Sequence, residues 1–216
     1  MRRALSLFAP LVLVFAVISP AAATSHPDPI LLVHGYRGDP GTWAQMKTFL
    51  EGKGRTVVAI DLATEDNVKN ADAIAALIKA NKWSSVDIVG QSMGGLSGRY
   101  FAKFRRASVN VDSYVSLGTP QYGIYSACLL PAWYGGQMCP RSSFLATINN
   151  GDDTPGSTAW TTIYSTNDEY VPNSSSRLDG GACHVQVSGP SHNTMDNDQV
   201  VMDAVFKAIN PGGCVL

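Results

Sequence analysis

The sequence predicts an α/β fold: a mainly parallel sheet of about six strands with helices on both faces. Three observations predict it. Short, continuously apolar runs recur along the chain, as in Ile30–Val33 and Val86–Val89, and strands buried on both faces read this way. Stretches with apolar residues at helical spacing separate them, and strands alternating with helices build a parallel sheet. The glycine-rich segment "GQSMGG" stands where one apolar run meets one helical stretch.

Ile30–Val33 is the first strand, followed by the glycine-rich His34–Gly41. Trp43 to Leu50 reads as a helix and Thr56–Ile60 as the second strand. Asp66 is placed to cap a helix running to about Lys82, with Val68, Ala71, Ala75 and Ile78 on one stripe. Val86–Val89 is the third strand and leads to Ser92. Leu96, Tyr100 and Phe104 then fall at helical spacing. Val111–Leu117, Trp160–Ser165 and His184–Val187 are the fourth, fifth and sixth strands. A last helix carries Val201, Ala204, Val205 and Ala208, and Asn210-Pro211-Gly212 stops it.

The 216 residues divide into a leader and one domain. Arg2 and Arg3, an apolar run from Ala4 to Ile18, and the small residues up to Ala23 form a secretory signal peptide, residues 1–23. Residues 24–216 are then a single domain exported from the cell. Charged residues make up 15% and the net charge is −1, which gives a polyanion nothing to bind. No basic patch is evident, and nucleic acid is excluded as a partner. The four cysteines all lie in the exported part. An even count there reads as disulfides, not as a zinc site, which would need a close cysteine pair. Three pairings are possible, and the two short loops, Cys128–Cys139 and Cys183–Cys214, are favoured.

Gly-x-Ser-x-Gly by itself is a weak signal. Here Gly90-Gln91-Ser92-Met93-Gly94 follows a strand and opens a helix, which is the setting of a nucleophile elbow. Serine needs a base. Of the four histidines, His26 lies before the first strand, His34 follows that strand directly, and His184 opens the sixth strand at its wrong end. Only His192 is both past a strand and downstream of Ser92. Asp168, past the fifth strand, is the orienting acid; its neighbour Glu169 is the rival, and Asp179 lies in a turn-like segment. Oxyanion donors are expected from the backbone N–H of Met93, next to the serine, and of Tyr36, in the loop after the first strand. Gly95 and Gly98 should let the helix approach the sheet.

On "LLVHGYRG", "VDIVGQSMGG", "TTIYSTNDEYV" and "RLDGGACHVQVSGPSH", the chain resembles the small secreted bacterial lipases and esterases of the α/β-hydrolase superfamily. The likeness is to compact Bacillus lipases and to actinomycete lipases. It covers most of the exported chain in order. It implies a reduced α/β-hydrolase fold, Ser92 as nucleophile, Asp168 as acid, His192 as base, and Tyr36 and Met93 as oxyanion donors, with no cofactor. The chain departs from the Bacillus type in its cysteines and in a longer segment between Gly118 and Ala159, rich in large apolar residues. That segment is either an acyl-chain wall or lid, or a disulfide-pinned loop packed on the body.

The expected activity is that of a secreted serine carboxylic-ester hydrolase, foremost a triacylglycerol lipase acting through an acyl-enzyme, as a monomer on acyl-ester lipid at a lipid–water interface. An acyltransferase or polyesterase would use the same residues. A non-catalytic binding protein would have no need of all three.

Overall fold

The computed structural model describes residues 27–210; the expected leader, His26 and Cys214 lie outside the described residues. Six strands form one sheet in the order β2-β1-β3-β4-β5-β6, and every pairing is parallel. They are β1 (Ile30–Val33), β2 (Val57–Ile60), β3 (Ser85–Gln91), β4 (Asn110–Leu117), β5 (Ala159–Ser165) and β6 (Cys183–Val187). All six expected strands are present, with ends moved by one or two residues.

Side chains alternate across the sheet, as a period of two requires. Ile30 and Leu32 of β1 face a core shared with α1 (Ala44–Gly52) and α6 (Gln199–Ala208). Leu31 and Val33 face the other core, shared with α2 (Asn67–Ala80) and α3 (Met93–Phe104). Helices therefore cover both faces. Asp66 caps α2 as expected, accepting from the N–H groups of Val68 and Lys69. Asp198 caps α6 in the same way, through Val200 and Val201.

One helical stripe differs from expectation. On α2 the buried residues are Asn67, Asn70, Ala71, Ile74 and Ile78, while Val68 and Ala75 are half-buried. The two asparagines turn inward because they belong to a polar network: Ser97 Oγ donates to Asn67 Oδ1 at 2.8 Å and Asn67 Nδ2 donates to Gln137 Oε1 at 2.9 Å. A reading of apolar spacing assigns such residues to solvent. On α3, Gly98 lets the helix approach the sheet as expected, since a Cβ there would come within 2.8 Å of Ile88 Cγ2; Phe101 packs in the same core, and Tyr100 stacks on Phe144 at 5.5 Å.

The segment from Gly118 to Ala159 contains α4 (Ser143–Ile148) and short 3-10 turns at Tyr125–Leu129 and Gly136–Met138. A further short helix, α5 (Asn173–Ser176), follows β5. The bridge Cys128–Cys139 is formed. Arg99 of α3, fully buried, reaches into the same segment: Nη1 donates to Asn149 Oδ1 at 2.7 Å, and Nη2 pairs with Asp153 Oδ1 at 2.6 Å. Gln137 Nε2 donates to Asp66 Oδ1 at 3.1 Å. The disulfide closes a loop within the segment, and the two polar networks tie it to α2 and α3.

The expectation that no basic patch exists is corrected by the fold. Lys79 and Lys82, at the end of α2, and Arg105 and Arg106, at the end of α3, surround one cavity. The four are separated into pairs along the chain, so only the packing of the two helices brings them together.

Candidate active site

Ser92 joins β3 to α3 with φ 53° and ψ −126°, a conformation that L-residues avoid. The turn is tight enough that a Cβ on Gly90 would lie 2.6 Å from the Gly95 Cα, and one on Gly94 would strike the carbonyl oxygens of Val33 and His34. Glycine at both places lets the elbow close against the end of β1. Ser92 stands at the first turn of α3, where unpaired N–H groups and the helix dipole favour negative charge.

Asp168 follows β5 and His192 follows β6, both at the carboxyl ends of their strands, as Ser92 is. The sheet brings the three into one line. His192 Nε2 lies 2.9 Å from Ser92 Oγ, and His192 Nδ1 lies 2.8 Å from Asp168 Oδ2. A carboxylate only accepts, so Nδ1 carries the imidazole proton and Nε2 is left to accept from the serine hydroxyl. Ser92 and His192 are buried, and the Asp168 side chain is closed off from water. Asp168 Oδ1 accepts from the N–H groups of Tyr170 and Val171 at 3.0 and 2.8 Å. Its second oxygen is thereby aimed at the histidine.

Further contacts hold the histidine in place. Glu169 Oε2 accepts from the His192 backbone N–H at 3.0 Å, and Gln91 Nε2 donates to the His192 carbonyl at 3.1 Å. The sequence suggests Glu169 only as a rival to Asp168, and Gln91 only as a letter between two motif residues. Each instead holds one of the two peptide groups that flank the His192 Cα. Gly118 has φ 53°, and a Cβ there would come within 2.7 Å of Asp168 Oδ2 and 3.3 Å of His192 Nδ1. Its place right after β4 is the signal that could have found it.

The loop after β1 closes the site from the other side. A Cβ on Gly35 would sit 3.0 Å from Ser92 Cβ and 3.2 Å from the Gln91 carbonyl, so the backbone leading to Tyr36 passes directly beside the serine. His34 is buried and shapes this loop. Its Nε2 accepts from the Leu62 N–H at 3.2 Å, which leaves Nδ1 to donate to the Gly35 carbonyl at 3.0 Å. His184 lies on β6, away from the serine, with Nδ1 2.8 Å from Thr162 Oγ1. Burial holds its imidazole below the usual range.

Ser92 and His192 open into a cavity of about 230 Å³ lined by Tyr36, Ile124, Met138, Tyr170 and Val171, among others. A second hollow of about 460 Å³ adjoins it, with Ile124 and Tyr170 common to both. Ile124 and Met138 come from the segment between β4 and β5. Among the described residues no group of histidines, cysteines and carboxylates is arranged to hold a metal ion, and no helix is long and apolar enough to cross a membrane.

Solved structures share this architecture. The chain superposes on the mature lipase BlEst2 of Bacillus licheniformis with a TM-score of 0.74 at 18% identity, covering 86% of this chain and 94% of that one. An α/β-hydrolase enzyme, MGS-MChE2, from the metagenome of lagoon sediments at Mar Chica, Morocco, matches with a TM-score of 0.65 at 17% identity, over 84% and 90% of the two chains. A pyrethroid hydrolase from Sphingobium faniae matches with a TM-score of 0.58 at 14% identity, over 86% and 98%. These likenesses show a reduced α/β-hydrolase fold. The family model of the class 2 lipases matches residues 27–209, which takes in every strand, the serine elbow and the histidine turn. The chain therefore belongs to the class 2 lipase family and is a serine ester hydrolase.

Proposed function

We propose that the chain is a secreted lipase that cleaves acyl esters, triacylglycerols foremost, through an acyl-enzyme on Ser92. The observation that carries this reading is the unbroken hydrogen-bonded line from Ser92 Oγ through both nitrogens of His192 to Asp168 at the foot of a cavity with apolar walls. Ser92 Oγ attacks the ester carbonyl carbon while His192 Nε2 takes its proton. Asp168 fixes the tautomer and stabilises the imidazolium. The oxyanion is received by the Met93 N–H, next to the serine, and by the Tyr36 N–H, on the loop that passes beside it. His192 then protonates the departing alcohol. Water enters, gives its proton to His192, and releases the acid, after which the proton returns to Ser92. No cofactor takes part.

The small cavity accommodates the reacting ester, and the adjoining hollow past Ile124 and Tyr170 extends it for a long acyl chain. Export is supported by the basic, apolar and small-residue pattern of residues 1–23 and by the Cys128–Cys139 bridge, which persists only in an oxidising compartment.

Ser92→Ala should lower ester hydrolysis at least about 10⁴-fold with the fold retained. Activity near that of the unaltered protein would overturn the assignment. A series of p-nitrophenyl esters from short to long acyl chains, run beside a triglyceride emulsion, tests the substrate. A lipase turns over the emulsion, whereas loss of activity beyond the short esters would make the enzyme an esterase.

A further inference from the structure

At the end of the sheet opposite Ser92 lies a cavity of about 530 Å³, larger than the one at the serine. Its walls include Trp83 and Phe101, and Lys79, Lys82, Arg105 and Arg106 stand around it. The volume is in the range that holds small molecules. It opens where β3 begins and α3 ends, while Ser92 follows the end of β3 and precedes α3. Seven strand residues at about 3.3 Å each put the two sites roughly 20 Å apart. A ligand bound here cannot be the one undergoing attack.

The charges are only partly committed. Arg105 pairs with Asp72 at 2.7 Å. Among the described residues, no carboxylate lies within 4.0 Å of the charged groups of Lys79, Lys82 or Arg106. Helix C-termini attract cations, which accounts for Lys79 and Arg105. This attraction reaches less to Lys82 and Arg106, each two residues beyond the last residue of its helix and one beyond the cap. Lys82 has φ 57°, and the Trp83 N–H returns to the Ile78 carbonyl, the helix-ending turn whose left-handed residue is ordinarily glycine. Ala107, beside Arg106, is also left-handed, with φ 48°. Both loops at the cavity thus place ordinary residues in strained conformations, and one of them presents a cation.

Three uncommitted cations beside an aromatic floor match a molecule with one anionic end and an apolar body. Hydrolysis of an acyl ester releases such a molecule, a long-chain carboxylate. We propose that this cavity is a second, non-catalytic site that binds a fatty carboxylate, with its head on Lys82 and Arg106 and its chain against Trp83 and Phe101. The proposal goes beyond the ester-hydrolase reading and rests on its long-chain form for the source of the carboxylate.

Calorimetric titration with dodecanoate below its micellar concentration tests it. The protein should show saturable binding that weakens at least tenfold in Lys82→Gln/Arg106→Gln, and dodecanol should bind at least tenfold less tightly than dodecanoate. Lys82→Gly, which suits the local backbone, should also weaken binding and gives a variant whose folding is not in doubt. All three proteins should hydrolyse p-nitrophenyl butyrate equally, so a failure here is distinguishable from a failure at Ser92. Absence of saturable binding, binding unchanged in the variants, or equal binding of dodecanol and dodecanoate would overturn the proposal. So would inorganic phosphate binding as tightly as dodecanoate, which would make the cavity a general anion site.

Discussion

Ser92 keeps a backbone conformation suited to glycine because β3, α3 and the end of β1 leave its Cα nowhere else to go. Strain of this kind costs about 1–3 kcal/mol. Ser92→Ala keeps the strain and removes only the hydroxyl, whereas Ser92→Gly removes both. Urea unfolding should therefore find Ser92→Gly more stable than Ser92→Ala by about 1 kcal/mol, even though glycine frees the unfolded chain. Equal stabilities would mean that the turn is relaxed. The serine, histidine and aspartate are legible in the sequence because each lies within five residues of the carboxyl end of an apolar strand. Gln91 and Glu169 were not, since their role is to hold the backbone of a residue that is distant along the chain.

The segment between β4 and β5 contributes Ile124 and Met138 to the site. Its disulfide closes a loop within it, and the Gln137 network and the buried Arg99 anchor it to α2 and α3, which supports a fixed wall over a moving lid. A wall gives no abrupt rise in rate as a substrate passes its micellar concentration, and a kinetic titration across that concentration checks it; a jump would restore the lid. Arg99→Ala leaves Asp153 and Asn149 facing an empty space. It should destabilise the protein by about 3–5 kcal/mol in denaturant unfolding. The sequence shows this segment as a long apolar-rich loop with a short disulfide. It does not show Arg99, because an arginine on a helix reads as solvent-facing unless its carboxylate partner is known.

Across the whole molecule, the number of strands, their alternation with helices and the two-faced core follow from runs of buried residues, which are written plainly in the sequence; the order of the strands in the sheet is not. What the sequence conceals is polar burial: Asn67, Asn70, Arg99 and the basic cavity all depend on how helices meet. Stability should carry the same imprint. Burial pushes the Asp196 carboxyl up to about 6, from an ordinary value of 3.8. Between those values the folded state binds more protons than the unfolded one, so stability falls as pH rises from about 4 to about 6 and stays lower above it. Asp196→Asn should flatten that decline and raise the melting temperature at pH 7. Thermal melts across this range test it, and an unchanged slope would reject Asp196 as its source.

The serine, the acid and the base follow β3, β5 and β6 in turn, and β6 pairs only with β5 at the margin of the sheet. On the proposed mechanism, a refolding chain that shapes the elbow early, from β1, β3 and α3, is chemically silent until the marginal strand docks and delivers its imidazole. Recovered esterase activity is then a clock for the last long-range step of folding, running later than the growth of helical signal. A partly built molecule carries its nucleophile without the means to use it.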